Sequence, residues 1–169
     1  LTLVNWHGQV VLDTHCRPPQ PVVDYRTAVS GVRPGDLQGA PDLLTVQQRV
    51  SALLSPETVL IGHGLANDFG CLMLSHPRRL VRDTSKYRPF RKLTHGKTPS
   101  LRRLARDILG VTIQDGAHDS AEDARAAMLL YRRVKADWEN YLFRQEGKTV
   151  KARKREQRRS REASRQSSQ

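Results

Sequence analysis

The chain has 169 residues, a formal charge of +12 and only 37% hydrophobic residues. That is long enough for one domain with a real core, basic enough to call for a polyanionic partner, and too sparing in apolar residues for every segment to be packed. Two distant cysteines, Cys16 and Cys71, with no C-x-x-C spacing argue against a disulfide framework or a zinc site and suit a reducing compartment, and no apolar run approaches the ~20 residues of a membrane span.

Leu1–Val4 and Gln9–Asp13 read as two short strands around a turn at Asn5–Gly8. The opening L-T-L-V-N-W-H-G has neither the basic nor the long apolar region of a signal peptide. It begins mid-strand without an initiator Met, as a fragment or processed form would. His15–Pro21 (H-C-R-P-P-Q-P) cannot continue a central strand, because proline lacks the donor. A polar loop with Gly31, Pro34, Gly35 and Gly39 follows. Thr45–Leu54 has apolar residues at helical spacing, and Thr58–Ile61 reads as a short buried strand closed by Gly62 and Gly64. Leu65–Leu74 reads as a helix, and Leu80–Val81 as a strand ending at Arg82-Asp83-Thr84. Ser100 caps a helix to about Leu109, with Gly110 as its stop. Val111–Ile113 is short and β-branched, and a long helix runs from the Gly116–Asp123 stretch to about Leu142. Beyond it the chain is polar, charged and Ser-rich, and reads as disordered, or helical only when bound. Strands first, then strand–helix alternation, predict an α/β domain with a mixed sheet over residues 1–143 and a basic tail over 144–169.

Charge is uneven. From Arg144 onward ten Lys and Arg face three Glu, a net +7, which leaves +5 on the preceding residues. The tail reads as a nuclear address, as an arm that clings to RNA, or as both. Aromatic residues are only 5%, too few for an evident base-stacking platform. Lys86, Arg88, Arg91, Lys92 and Lys97 form a basic run along which a nucleic-acid strand could track; the alternative is an ordinary solvated loop.

Two stretches carry ionisable residues where chemistry would need them. In L-I-G-H-G-L-A-N-D-F, a strand passes through two glycines into a helix, and Asp68 falls in the first turns. A carboxylate facing the helix dipole explains that position by itself. In G-A-H-D-S-A-E-D-A, His118, Asp119, Glu122 and Asp123 crowd a helix start. Asp119 or Ser120 as an N-cap, with Glu122 or Asp123 closing a capping box, accounts for two of the four. Carboxylates beside a histidine are also what metal-assisted phosphodiester hydrolysis requires. The carboxylates hold hard divalent ions, and the histidine takes the proton of the attacking water.

In order, G-H-x-L-x-x-D-F, R-D-T, S-L-x-x-L and H-x-S-x-x-D-A resemble the DEDDh branch of the 3′–5′ exonucleases, closest to the eukaryotic RNA exonuclease four group. The interferon-stimulated exonuclease and the apoptosis-enhancing nuclease are also similar. The resemblance covers about residues 1–142 and implies an RNase H-like mixed sheet flanked by helices. It implies metal ligation by Asp68 and Asp123, a general base at His118, and contact of Arg26 with the terminal nucleotide. His63 and Asn67 flank the strand–helix turn, where they line the site or simply hydrogen-bond the turn. The implied cofactor is a pair of Mg²⁺ or Mn²⁺ ions, but the family's first motif, Asp-x-Glu on the first strand, is absent. The one D-x-E here, Asp137-Trp138-Glu139, falls late in a helix. The site is therefore incomplete and the first strand missing. The resulting expectation is a monomeric exonuclease acting on RNA, or on single-stranded DNA, in the nucleus or nucleolus, in processing of ribosomal or other nuclear RNA. The alternative is a catalytically impaired RNA-binding or assembly factor. A DNA exonuclease is a third reading.

Overall fold

The computed structural model of the chain describes residues 1–116 and 118–166, with side chains as far as residue 145. β1 (Thr2–Val4) and β2 (Val10–Asp13) form an antiparallel hairpin. Asn5 builds its turn by accepting the N–H groups of His7 at 2.9 Å and Gln9 at 3.1 Å on Oδ1. A one-turn helix α1 (Thr27–Ser30) and a 3₁₀ turn (Pro34–Leu37) follow. Helix α2 (Leu43–Leu53) begins where Asp42 accepts the Thr45 N–H at 2.8 Å, an N-cap that starts the helix two residues before the periodicity predicts. It buries Val46 and Val50, one helical turn apart.

β3 (Leu60–Gly62) and β4 (Val81–Asp83) are parallel, with Leu60 opposite Val81 and Gly62 opposite Asp83. Helix α3 (Leu65–Leu72) lies between them in sequence. Then come α4 (Arg88–Lys92) and α5 (Leu101–Leu104), which widens into a π-helical turn at Ala105–Leu109 and stops at Gly110 with φ 70°. Val111–Ile113 is not a strand. Helix α6 runs from Ser120 to Gln166.

Residues Leu1–Arg133 form one compact unit, and a second starts at Val134. In the first, Val46, Leu104 and Leu130 are fully buried, and Tyr87 meets Phe90 edge-on at 4.9 Å. The hairpin turn grips α6 through Trp6, which lies edge-on to Tyr131 at 6.4 Å and under the Arg132 guanidinium at 5.1 Å. Arg125 Nε–H also donates to the Gly8 carbonyl at 2.9 Å. These contacts fix the start of α6 against the hairpin.

One feature differs from the sequence expectation: parallel and antiparallel pairings both occur, but in two separate two-stranded sheets rather than one mixed sheet, since among the described residues β1 pairs with β2 and β3 with β4. The backbone of α6 continues as helix to Gln166, with residues 167–169 outside the described residues. The stretch from Lys148 to Gln166 is rich in Lys, Arg, Glu, Gln and Ala and holds no proline, so intrinsic propensity favours that conformation. Among the described residues, no helix is long and apolar enough to cross a membrane.

Candidate active site

The turn from β3 into α3 needs both of its glycines, for different reasons. At Gly62 a Cβ would stand 2.4 Å from Leu65 Cδ2, so any larger residue would force the Leu65 side chain to shift. Gly64 has φ +76°, a conformation that costs other residues roughly 1–2 kcal/mol. Past this turn, Asp68 is exposed in the first turn of α3.

The second carboxylate arises at the start of α6. Asp119 caps the helix: its Oδ1 accepts the Ala121 N–H at 2.8 Å and the Glu122 N–H at 3.4 Å. No capping box forms, because Glu122 turns away to accept the Gln114 N–H at 3.0 Å. That leaves Asp123. Its Oδ1 accepts from Gln114 Nε2 at 2.8 Å, and its Oδ2 lies 3.5 Å from His118 Nδ1. The His118 side chain is 43% exposed and that of Asp123 25%, so both reach solvent.

Asp68 and Asp123, distant in sequence, line one cavity of about 360 Å³. His63, Thr2 and Ser120 also line it, and Leu60, Leu65, Phe69 and Leu101 contribute apolar wall. Residues of both β1 and β3 line the cavity, although the two strands are not paired with each other. Ser120 Oγ and Thr2 Oγ1 are 2.6 Å apart, which joins β1 to the start of α6.

His63 is held from beneath. The Thr84 hydroxyl donates to the Gly62 carbonyl at 3.0 Å, so its oxygen accepts from His63 Nδ1 at 2.9 Å. Burial lowers the His63 pKa below the usual imidazole value, against the pull of Asp83, the Pro99 carbonyl and Asp123.

Asn67 is exposed and is not among the residues lining the cavity. Arg26 is not among them either, although its place is unusual: it is a non-glycine residue at φ 47°, ψ 41°, its N–H taken by Asp24 Oδ1 at 2.8 Å. Arg26 heads α1, and α1 is tied to the histidine loop by the His118 N–H, which donates to the Val29 carbonyl at 3.0 Å. In the basic run, Arg91 is committed to the fold, with Nε and Nη2 on the Gly96 carbonyl at 3.1 and 2.7 Å. Lys86 Nζ lies 3.5 Å from Asp83. Two participants escape the sequence reading. Gln114 carries no motif signal at all. Asp83 stands within the quoted R-D-T, but its partners lie too far away in sequence to reveal its role.

The donor set can be tested against a cation. Two carboxylates on one cavity suit a single hard divalent ion that completes its shell with water and phosphate oxygens. Among the described residues, no group of three or more His, Cys, Asp or Glu is placed to hold a metal ion. By its chemistry the donor set suits one ion and falls short of a two-ion clamp.

A family model described as exonuclease, RNase_T, matches residues 3–131. The chain belongs to this exonuclease family. Within the family it is 49% identical over 145 residues to RNA exonuclease 4 of Cryptococcus neoformans, covering 86% of this chain and 35% of that one. It is 46% identical over 140 residues to RNA exonuclease 4 of Saccharomyces cerevisiae, covering 82% of this chain and 48% of that one. The human protein of that name is 45% identical over 140 residues, covering 83% and 33%. The exonuclease chain thus spans about a third to a half of the length of these relatives. Its fold is RNase H-like and matches the Neurospora crassa Pan2 catalytic unit (protease and nuclease domain) with a TM-score of 0.67 and 31% identity, over 85% of this chain and 24% of that one. The Saccharomyces cerevisiae Pan2 exonuclease module in complex with A7 RNA matches with a TM-score of 0.67 and 34% identity, over 88% and 25%.

Proposed function

We propose that this exonuclease domain hydrolyses RNA from the 3′ end at the cavity shared by Asp68 and Asp123. The observation that carries the reading is that shared cavity, with a histidine 3.5 Å from one of the two carboxylates. Asp68 and Asp123 would hold a Mg²⁺ or Mn²⁺ ion, whose chemistry is to neutralise charge on a phosphodiester under attack. His118 presents Nδ1 to Asp123, which leaves Nε2 to accept the proton of the attacking water. Gln114 holds the other Asp123 oxygen and fixes the carboxylate plane. Arg26, His63 and Asn67 are the proposed contacts to the terminal nucleotide. RNA is the proposed substrate because the similar relatives are named RNA exonucleases and a similar module is bound to RNA; single-stranded DNA is the secondary one. The +12 charge supports polyanion binding that weakens as salt rises. We extend the reading to processing of ribosomal or other nuclear RNA in the nucleus or nucleolus, supported by the basic tail as an address.

A second reading has its own observation. With no three-ligand group among the described residues, the domain as it stands would bind RNA without cleaving it, as an assembly factor. Single-stranded RNA labelled at the 3′ or the 5′ end, incubated with Mn²⁺ and either the wild type or Asp123→Ala, separates the two. Loss of the 3′ label, abolished in the variant, supports hydrolysis. Salt-sensitive binding without shortening supports the second reading.

A further inference from the structure

The helix that carries Asp68 has no cap of its own. Gly64, its N-cap residue, offers no side chain, and no side-chain cap hydrogen bond forms. A carboxylate from the neighbouring strand holds the turn instead: Asp83 Oδ1 accepts the Gly64 N–H at 2.9 Å. The same oxygen accepts the Ser85 N–H at 3.0 Å and the Ser85 hydroxyl at 2.6 Å. Thr84, between them, puts its N–H and its hydroxyl on the Gly62 carbonyl at 2.8 and 3.0 Å and receives His63 Nδ1 at 2.9 Å. Asp83 and Thr84, where β4 ends, therefore grip Gly62, His63 and Gly64, where β3 leads into α3, while Ser85 braces Asp83.

Asp83 is 5% exposed, and among the described residues its Oδ2 has no hydrogen-bond partner and faces the Lys86 ammonium at 3.5 Å. The turn is thus held by a buried acceptor whose own place is fixed by Ser85. Gly64 lies one helical turn before Asp68, and the angle at which the chain enters α3 decides where the Asp68 carboxylate stands in the cavity. We propose that Asp83 is a positioning residue for Asp68. It sets that entry angle through Gly64, and the hydrogen bonds of Thr84 and Ser85 keep the setting rigid. The proposal rests on Asp68 as a cation ligand.

The test is Mn²⁺ affinity of the full chain, read from the electron paramagnetic resonance of free Mn²⁺. It compares wild type, Asp68→Ala, Asp83→Ala and Asp83→Asn, with folding verified by near-ultraviolet circular dichroism. Asp83→Ala is expected to weaken Mn²⁺ binding roughly 10-fold or more, the range for groups that orient a metal ligand. Asp83→Asn keeps an oxygen for Gly64 and is expected to recover most of the loss, a rescue that a merely structural role would not give. Should Asp83→Ala fail to fold, Asp83→Ser, whose hydroxyl is too short to reach Gly64, is read in the same way. A folded Asp83 variant without the acceptor that binds Mn²⁺ like the wild type, while Asp68→Ala does not, overturns the positioning role and leaves the site intact. Equal binding by wild type and Asp68→Ala overturns the ligand reading and the proposal together.

Discussion

Asp68 and Asp123 line the same cavity, yet the two corners that deliver them are built differently. The Asp68 corner is braced by Asp83, Thr84 and Ser85, all nearly inaccessible to solvent, with the Asp83 and Thr84 side chains bonded to backbone groups of Gly64 and Gly62. The Asp123 corner is held from the side by Gln114 and His118, with His118 largely open to water. One corner is fixed when the protein folds. The other depends on side chains that solvent, salt and protonation can reach. The difference teaches that a carboxylate can be placed either by buried side chains that hold its turn or by exposed partners, and that the second way leaves it adjustable.

The largest expected effect removes the comparison altogether. Asp123→Ala takes away the proposed cation ligand, worth several kcal/mol of charge stabilisation, which by rate arithmetic is ~10³-fold in Mn²⁺-dependent RNA shortening; chelation by EDTA should do the same to the wild type. His118→Ala breaks only the exposed corner. It should lower the rate ~10²–10⁴-fold while leaving Mn²⁺ affinity nearly unchanged, and imidazole added to the assay should restore part of the loss.

Smaller effects sharpen the contrast. Gln114→Ala should cost ~10-fold in Mn²⁺ affinity, yet move the melting temperature little, because alanine inherits the same left-handed backbone. Gly64→Ala, at the braced corner, should cost about 1–2 kcal/mol of stability, measured by urea unfolding. Acid should find the buried corner first through His63. Its folded pKa is depressed below 6.5, so the unfolded chain binds the proton more readily. Stability is full above 6.5 and declines as pH falls from 6.5 toward the folded value. Asp83 adds a separate loss only below 3.8, since hydrogen bonds from Ser85 and Gly64 and the nearby Lys86 outweigh burial and lower its pKa. His63→Gln should flatten the upper step alone, as melting temperatures between pH 7.5 and 5 would show.

Much of the architecture could be read from the chain because its signals are local. The alternating strands of the first hairpin, the Gly62–Gly64 turn and the stop at Gly110 each follow from residues within a few positions of one another. The short helices α1 and α4 escape that reading, since four or five residues carry no period and α4 opens at a proline. The split of the sheet escapes it too, because pairing between distant strands leaves no mark on either. At the site, His118, Asp123 and Asp68 stand out as titratable residues clustered at helix starts. The grip of Asp83 on Gly64 joins residues far apart in sequence and can be seen only when β3 and β4 are side by side. Arg26 came from resemblance and Asn67 from its place beside the strand–helix turn, and neither is among the residues lining the cavity.

Gln114 has φ +58°, a backbone state that L-residues other than Asn and Asp rarely adopt. Glycine would sit there without strain, and asparagine nearly so. The chain instead places a residue whose amide is long enough to reach Asp123, 2.8 Å away. A screen for thermal tolerance alone should therefore discard this glutamine: Gln114→Gly is expected to emerge as a stabilised protein with a weakened site. Heritable variation at position 114 would then report which demand a lineage is under, heat or turnover.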